Sequence, residues 1–155
     1  MSEDLFRNNV IQKITDIHTK KGENVLILVE RISHGNNISA FMNGNIFLHG
    51  KDKVAIRYEI QKQCEHSSGM TIIATSGIFA MGVSIKRLHG IILAGISSAK
   101  IGLVQAIGRG LREHETKEML NVYDIADTTE YSNRHLRKRL KVFDNEDFAY
   151  KVMEI

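Results

Sequence analysis

Gln105, Gly108, Arg109 and Arg112, in the stretch QAIGRGLR, fall at i, i+3, i+4 and i+7 and so share one face of a helix, while Val104, Ile107 and Leu111 fall on the other. Such a face offers two guanidiniums beside an amide. Guanidiniums stay charged at any working pH and hold phosphate oxygens through paired donors, and the amide can serve a nucleotide or its attacking water. Gly108 and Gly110 each cost about 1 kcal/mol relative to Ala inside a helix, a cost that suggests close approach by another group. The alternative use of the two arginines is a solvated face, or ion pairs with acids such as Glu113 and Asp124.

Alternating strands and helices would position this segment. Leu5–Lys21 repeats apolar residues at Phe6, Val10, Ile14 and Ile17 and stops at Gly22, which predicts an amphipathic helix with a glycine cap. VLILV at 25–29 is a continuous run of strand formers, as in a strand covered on both faces. A helix around Ile38–Met42, a strand at Ile46–Leu48 and a helix over Lys53–His66 follow. TIIAT at 71–75, IILA at 91–94 and LNVYDI at 120–125 supply three more strands, with helical connections centred on Phe79 and Ala106. The alternation predicts an α/β fold with a parallel sheet and right-handed crossovers.

Ligands of open parallel sheets gather outside the carboxyl ends of the strands, and the polar segments ERISHG, HGK, ATSG, GISS and DIAD sit at those ends. Thr75 and Ser76, closing a strand and opening a helix, suit a phosphate held by hydroxyls and free amides, or a plain helix cap. His34 and His49 each stand beside a glycine just past a strand, without the paired spacing of metal ligands. Gly50-Lys51 has the wrong spacing to Gly44 for a phosphate-binding loop, and Asp52 stands where Ser or Thr would hold magnesium. Cys64, at i+4 from Ile60, reads as a core thiol. Arg134–Lys141 reads as a helix with Leu136 and Leu140 inward and the charges outward, able to track phosphates or simply to be solvated.

At 155 residues and 43% hydrophobic content, with no proline-rich, glycine-rich or repeated stretch, the chain predicts one compact domain. Twenty-one Lys and Arg against 18 Asp and Glu give a net charge of +3, a mild lean toward polyanionic partners. One cysteine precludes an internal disulfide, and no apolar run nears the roughly 18 residues of a membrane span. The start MSEDLFRNN is unlike a secretory signal, and a soluble, cytoplasmic protein is expected.

In content and order these segments resemble the second motor domain of superfamily 2 helicases, and within them the recombination helicases of phage. VLILVERISHG is similar to motif IV, FLHGKDKVAIR to the following segment with its HG pair and downstream arginine, IIATSGIFAMGVSIKRL to motif V, and QAIGRGLR to motif VI. The resemblance implies a RecA-like parallel β-sheet flanked by helices over residues 1–128, with residues 129–155 as a helical C-terminal extension of the same domain. It implies that Arg112 acts as an arginine finger with Arg109 and Gln105, and that Gly82, Ser84 and Gly108 lie against the nucleotide. Ser84 replaces the aspartate that reaches the ribose in many members, and a hydroxyl accepts more weakly than a carboxylate. Ser33, His34, His49, Gly50, Thr75 and Ser76 are implied in the nucleic-acid track, and Arg137, Lys138 and Arg139 of the basic stretch extend it.

ATP with magnesium would be the cofactor, completed by an N-terminal RecA-like lobe, because the sequence carries arginines but neither a phosphate cradle nor an acidic DExD or DExH segment. DNA or RNA would be the partner. The chain alone is expected to be inactive. An alternative of another class is a stand-alone nucleic-acid-binding or regulatory module that kept the fold without the motor. An unrelated nucleotide-binding α/β enzyme would call for a glycine-rich fingerprint such as GxGxxG, which is missing from the sequence.

Overall fold

A computed structural model describes residues 3–80, 87–97, 102 and 120–155. The chain runs α1 (Glu3–Thr19), β1 (Val25–Val29), α2 (Ile32–Phe41), β2 (Asn45–Leu48), α3 (Val54–His66), β3 (Thr71–Thr75), α4 (Ser76–Ala80), β4 (Gly90–Ala94), β5 (Asn121–Ile125) and α5 (Glu130–Asn145). The five strands form one sheet in the order β2-β3-β1-β4-β5, and every neighbouring pair is parallel. Val25 stands opposite both Thr71 and Gly90, Asn45 opposite Thr71, and Gly90 opposite Asn121. The strands therefore begin level, and the segments that leave them gather along one edge.

Strands β1, β3 and β4 are buried along their whole length, as their unbroken apolar runs require of a sheet covered on both faces. On one face Leu26, Leu28, Ile72, Ala74, Ile91 and Leu93 meet Cys64 of α3 and Phe143 of α5. On the other, Val25, Ile27, Val29, Ile73, Ile92 and Ala94 meet Ile11 of α1, Ile38 of α2 and Met42 just past it. The α/β architecture expected from the alternation is the one observed.

Helix α1 departs from its apolar pattern. Its buried residues include Asn8, Ile11, Thr15 and His18, whereas Phe6 and Ile17 are 52% and 56% exposed. Thr15 and His18 find partners, whereas Asn8 Oδ1 has none among the described residues. The Thr15 hydroxyl donates to the Ile11 carbonyl at 2.8 Å. The His18 ring lies between Glu23, 2.5 Å from Nδ1, and the Tyr123 hydroxyl, 2.9 Å from Nε2. Burial of that hydroxyl and, second, the Glu23 carboxylate push the Tyr123 pKa above its ordinary value.

Helix α2 begins at Ile32, earlier than the sequence suggests, so Ser33 and His34 belong to a helix rather than a loop. Gly35 permits it, because a Cβ there would stand 2.3 Å from Cζ of Phe47 on β2. At the opposite end of the sheet from the strand exits, the fully buried Asn24 ties the start of β1 to residues 64–70 and to Arg87. The two hydrogens of its amide nitrogen are shared among the carbonyls of Cys64, Ser67 and Arg87, which lie 3.1, 3.0 and 3.1 Å away, and its amide oxygen accepts from Met70 N at 2.9 Å.

The C-terminal stretch is helical only to Asn145. Asp147, at φ 55°, turns the chain back, and the rings of Phe148 and Tyr150 then lie 6.3 and 6.1 Å from that of Phe143. Thr129 caps the start of α5, accepting from Ser132 N.

Candidate functional site at the carboxyl ends of the strands

Several of the residues singled out in the sequence meet along the edge where the strands end. Leu48 pairs with Ala74 and Val29 with Thr75, so His49 and Gly50 leave β2 beside Thr75, the last residue of β3, and Ser76, the first of α4. Ser33 and His34 lie in the first turn of α2, just past β1. Ser33 is exposed and His34 half-buried. Thr75 and Ser76 are only 7% and 4% exposed, while Gly77, next to them, is open to solvent.

The β2 corner holds a charged group that the sequence reading left out of the site. Arg57, on the first turn of α3, is 7% exposed. Its Nη2 donates to the Asp52 carbonyl at 3.0 Å, and its Nε has no hydrogen-bond partner among the described residues. The Asp52 carboxylate accepts from His49 N at 2.6 Å and stands 3.6 Å from His49 Nδ1. A buried guanidinium with no carboxylate partner among the described residues favours an anion beside it. The only trace of this in the sequence is an arginine eight residues after His49, in a stretch otherwise apolar at Val54, Ala55 and Ile56.

Toward β4 and β5 the strand ends are tied together. The Glu30 carboxylate, past β1, accepts from Ser97 N at 3.0 Å and from the Ser97 hydroxyl. Arg7 of α1 pairs with Asp127 past β5, with Nε 3.2 Å from Oδ1. Arg139 of α5 donates through Nε and Nη2 to the Asp124 carboxylate at 2.6 and 2.8 Å, and through Nη1 to the Ile96 carbonyl at 2.5 Å.

Arg139 corrects the sequence reading. It was expected among the outward charges of the basic stretch, yet it is 2% exposed and its donors are committed to protein acceptors, so it is not open to a phosphate. Its spacing from Phe143, at i+4, puts it on the inward face of α5, where Asp124 supplies the countercharge. Arg137 and Lys138 are exposed, as are Arg134 and Lys141. Arg134, Lys138 and Lys141, at i, i+4 and i+7, form a stripe.

Gln105, Gly108, Arg109 and Arg112, together with Gly82 and Ser84, lie outside the described residues, as does the helix expected around Ala106. Among the described residues no group of three or more His, Cys, Asp and Glu could hold a metal ion, and no helix is long and apolar enough to cross a membrane.

Residues 7–114 match the profile of the helicase conserved C-terminal domain. Over 126 residues the chain is 31% identical to the ATP-dependent DNA helicase uvsW of Enterobacteria phage T4, covering 79% of this chain and 25% of that protein. The crystal structure of T4 UvsW superposes with a TM-score of 0.76 at 28% identity, over 96% of this chain and 34% of that one. The C-terminal part of the Fun30 ATPase domain gives a TM-score of 0.71 at 17% identity, over 86% of this chain and 44% of that one. Domain 2 of the DEAD-box helicase Mss116p gives 0.65 at 16%, over 96% and 62%. The last two likenesses show the shared RecA-like fold. The chain spans about a quarter of the curated relative's length.

Proposed function

The chain belongs to the helicase conserved C-terminal domain family, and from that premise we propose that it is the C-terminal motor lobe of an ATP-dependent DNA helicase or translocase that works in recombination or the remodelling of branched DNA. The choice of DNA and of recombination rests on the likeness to the phage enzyme. The observation that carries the reading is the level edge of a parallel sheet with polar residues at consecutive strand exits, in a chain that also carries QAIGRGLR.

In this reading ATP and magnesium are held mainly by an N-terminal RecA-like lobe. That lobe supplies the phosphate cradle and acidic motif that this sequence does not contain. ATP draws the lobes together, bringing Arg109 and Arg112 to the γ-phosphate, with Gln105 beside them and Gly82, Ser84 and Gly108 lining the nucleotide. Positive groups held against charge developing on phosphate oxygens are what phosphoryl transfer needs. Reopening after hydrolysis moves this lobe along a strand gripped at Ser33, His34, His49, Gly50, Thr75 and Ser76. Arg57 adds a buried cation behind His49. Residues 129–155 form an extension of the same domain rather than a second one, since Phe143 sits in the core beneath the sheet.

The isolated chain is expected to fold and to show no ATP hydrolysis, with or without DNA, while joining it to its ATP-binding lobe should give DNA-stimulated turnover. Steady-state phosphate release from both proteins decides it. DNA-stimulated hydrolysis by this chain alone would refute the two-lobed reading.

The exposed stripe on α5 makes a separate expectation. Replacing Arg134, Arg137, Lys138 and Lys141 by Ala should weaken DNA binding and flatten its salt dependence by up to about 0.9 in the log-log slope for each lost phosphate contact, with the melting temperature little changed. An unaltered affinity and slope, read by anisotropy titrations across a salt series, would make the stripe a solvated surface.

A further inference from the structure

We propose that the outer face of α5 is a second DNA site, selective for a single strand, in which an unpaired base stacks on the Tyr131 ring while the neighbouring cations hold the phosphates. The site takes in the basic stripe and rests on the reading of that stripe as a DNA surface. Tyr131, Arg134, His135 and Lys138 fall at i, i+3, i+4 and i+7 of the helix, so ring and charge share one face. Tyr131 is 68% exposed, and its ring meets that of His135 with centroids 4.3 Å apart and planes inclined at 58°.

A single exposed tyrosine needs no explanation, and Tyr58 on α3 is 66% exposed. What sets Tyr131 apart is the ring beside it and the charge along its face. Arg134, Arg137, Lys138 and Lys141 are exposed, and none of them makes a salt bridge with an acid among the described residues. Of the acids on the helix, Glu130 stands in the first turn, where a carboxylate suits the helix dipole, and Asp144 accepts from the Tyr150 hydroxyl at 2.8 Å. The ring pair also stands at the end of the sheet where the strands exit. α5 begins at Glu130, shortly after β5 ends at Ile125, and its first turn is fastened there by the Asp127 N–H, which donates to the Ser132 hydroxyl at 2.8 Å.

A row of cations alone would hold the phosphates of any nucleic acid. The ring discriminates. Bases inside a duplex are stacked on one another, whereas an unpaired base has a free face, and stacking on an aromatic side chain tolerates any base. His135 restricts the Tyr131 ring, so less freedom is lost when a base arrives. In the motor reading, unpaired strand is what the enzyme produces.

The experiment uses the 155-residue chain, a labelled oligothymidylate and a blunt duplex of the same length, with affinities from anisotropy across a salt series. Tyr131 is exposed, so its variants should melt as wild type does. Tyr131→Ala should weaken single-strand binding by about 5- to 100-fold, change duplex binding little and leave the salt slope unaltered, because no phosphate contact is lost. Tyr131→Leu should behave like Tyr131→Ala, and Tyr131→Phe should stay near wild type, since the aromatic face is what the base meets. The sequence contains no tryptophan, so Tyr131→Trp puts a unique fluorophore at the site, and its emission should be quenched by the oligothymidylate but not by the duplex. Wild-type single-strand affinity in Tyr131→Ala, an equal loss on the duplex, or unquenched emission would overturn the proposal, as would failure of the chain to bind the oligothymidylate. Replacing the four cations by Ala separates the causes. If that flattens the salt slope while Tyr131→Ala has no effect, only the stacking site falls; if neither has an effect, the reading of the stripe falls with it.

Discussion

Arg112→Ala, in this chain joined to its ATP-binding lobe, is expected to lower ATP turnover by on the order of 10³ to 10⁵, the range for an arginine finger in well-studied NTPases. The loss should appear in kcat more than in ATP affinity, because the contact strengthens as charge develops on the transferring group. Arg112→Lys should recover little, since one ammonium cannot reproduce the guanidinium's paired donors. If the arginines serve folding instead, Arg112→Ala will lower the melting temperature and leave the turnover of folded protein near wild type. Thermal denaturation and steady-state kinetics on the same preparation separate the two accounts.

Asn24→Ala should produce a large loss of stability, about 2–4 kcal/mol, because it strips partners from the Cys64, Ser67 and Arg87 carbonyls and from the Met70 N–H in one step. Each buried group left unpaired costs about 1–3 kcal/mol, less where water can reach it. Asn24→Asp should be worse at neutral pH, since it keeps the shape but turns an oxygen toward carbonyls that need a donor. Asn36→Ala, exposed on α2, is the control and should stay within about 0.5 kcal/mol. Urea denaturation gives all three values. An Asn24→Ala cost no larger than the control would show that water replaces the side chain.

The strands were legible because burial on both faces leaves a continuous apolar run that needs no partner to be recognised. β4 begins at Gly90 and β5 at Asn121, each one residue from the expected start. The buried face of α1 was not legible. Its choice depends on His18 meeting Tyr123, 105 residues away, and on Thr15 satisfying its hydroxyl within the helix. No local periodicity carries either fact. The early start of α2 was hidden by Ser33, Gly35, Asn36 and Asn37, poor helix formers that the close approach of Phe47 to Gly35 overrides.

At the strand exits, His49 and Gly50 follow β2 beside Thr75 and Ser76, since Leu48 pairs with Ala74. Charge misled at Arg139. A run of basic residues resembles a solvated surface whatever one member does, and only the fold brings Asp124 and the Ile96 carbonyl beneath it. Arg57 was noticed as the arginine of FLHGKDKVAIR, but nothing in its surroundings in the sequence shows that it will be covered.

The burial of Cys64 bears on how lobe movement could be watched. It is the only cysteine in the sequence, and it is 0% exposed on the inward side of α3, with its backbone carbonyl engaged by Asn24. Maleimide dyes react with accessible thiolate, so the folded surface of this lobe is blank to them without any cysteine having to be removed. A cysteine introduced at exposed Lys62 or Asn43 becomes a unique attachment point for a fluorophore, and energy transfer to a second dye on the other lobe would follow closure in real time. Slow labelling of Cys64 itself then serves as an internal clock for global opening of the domain.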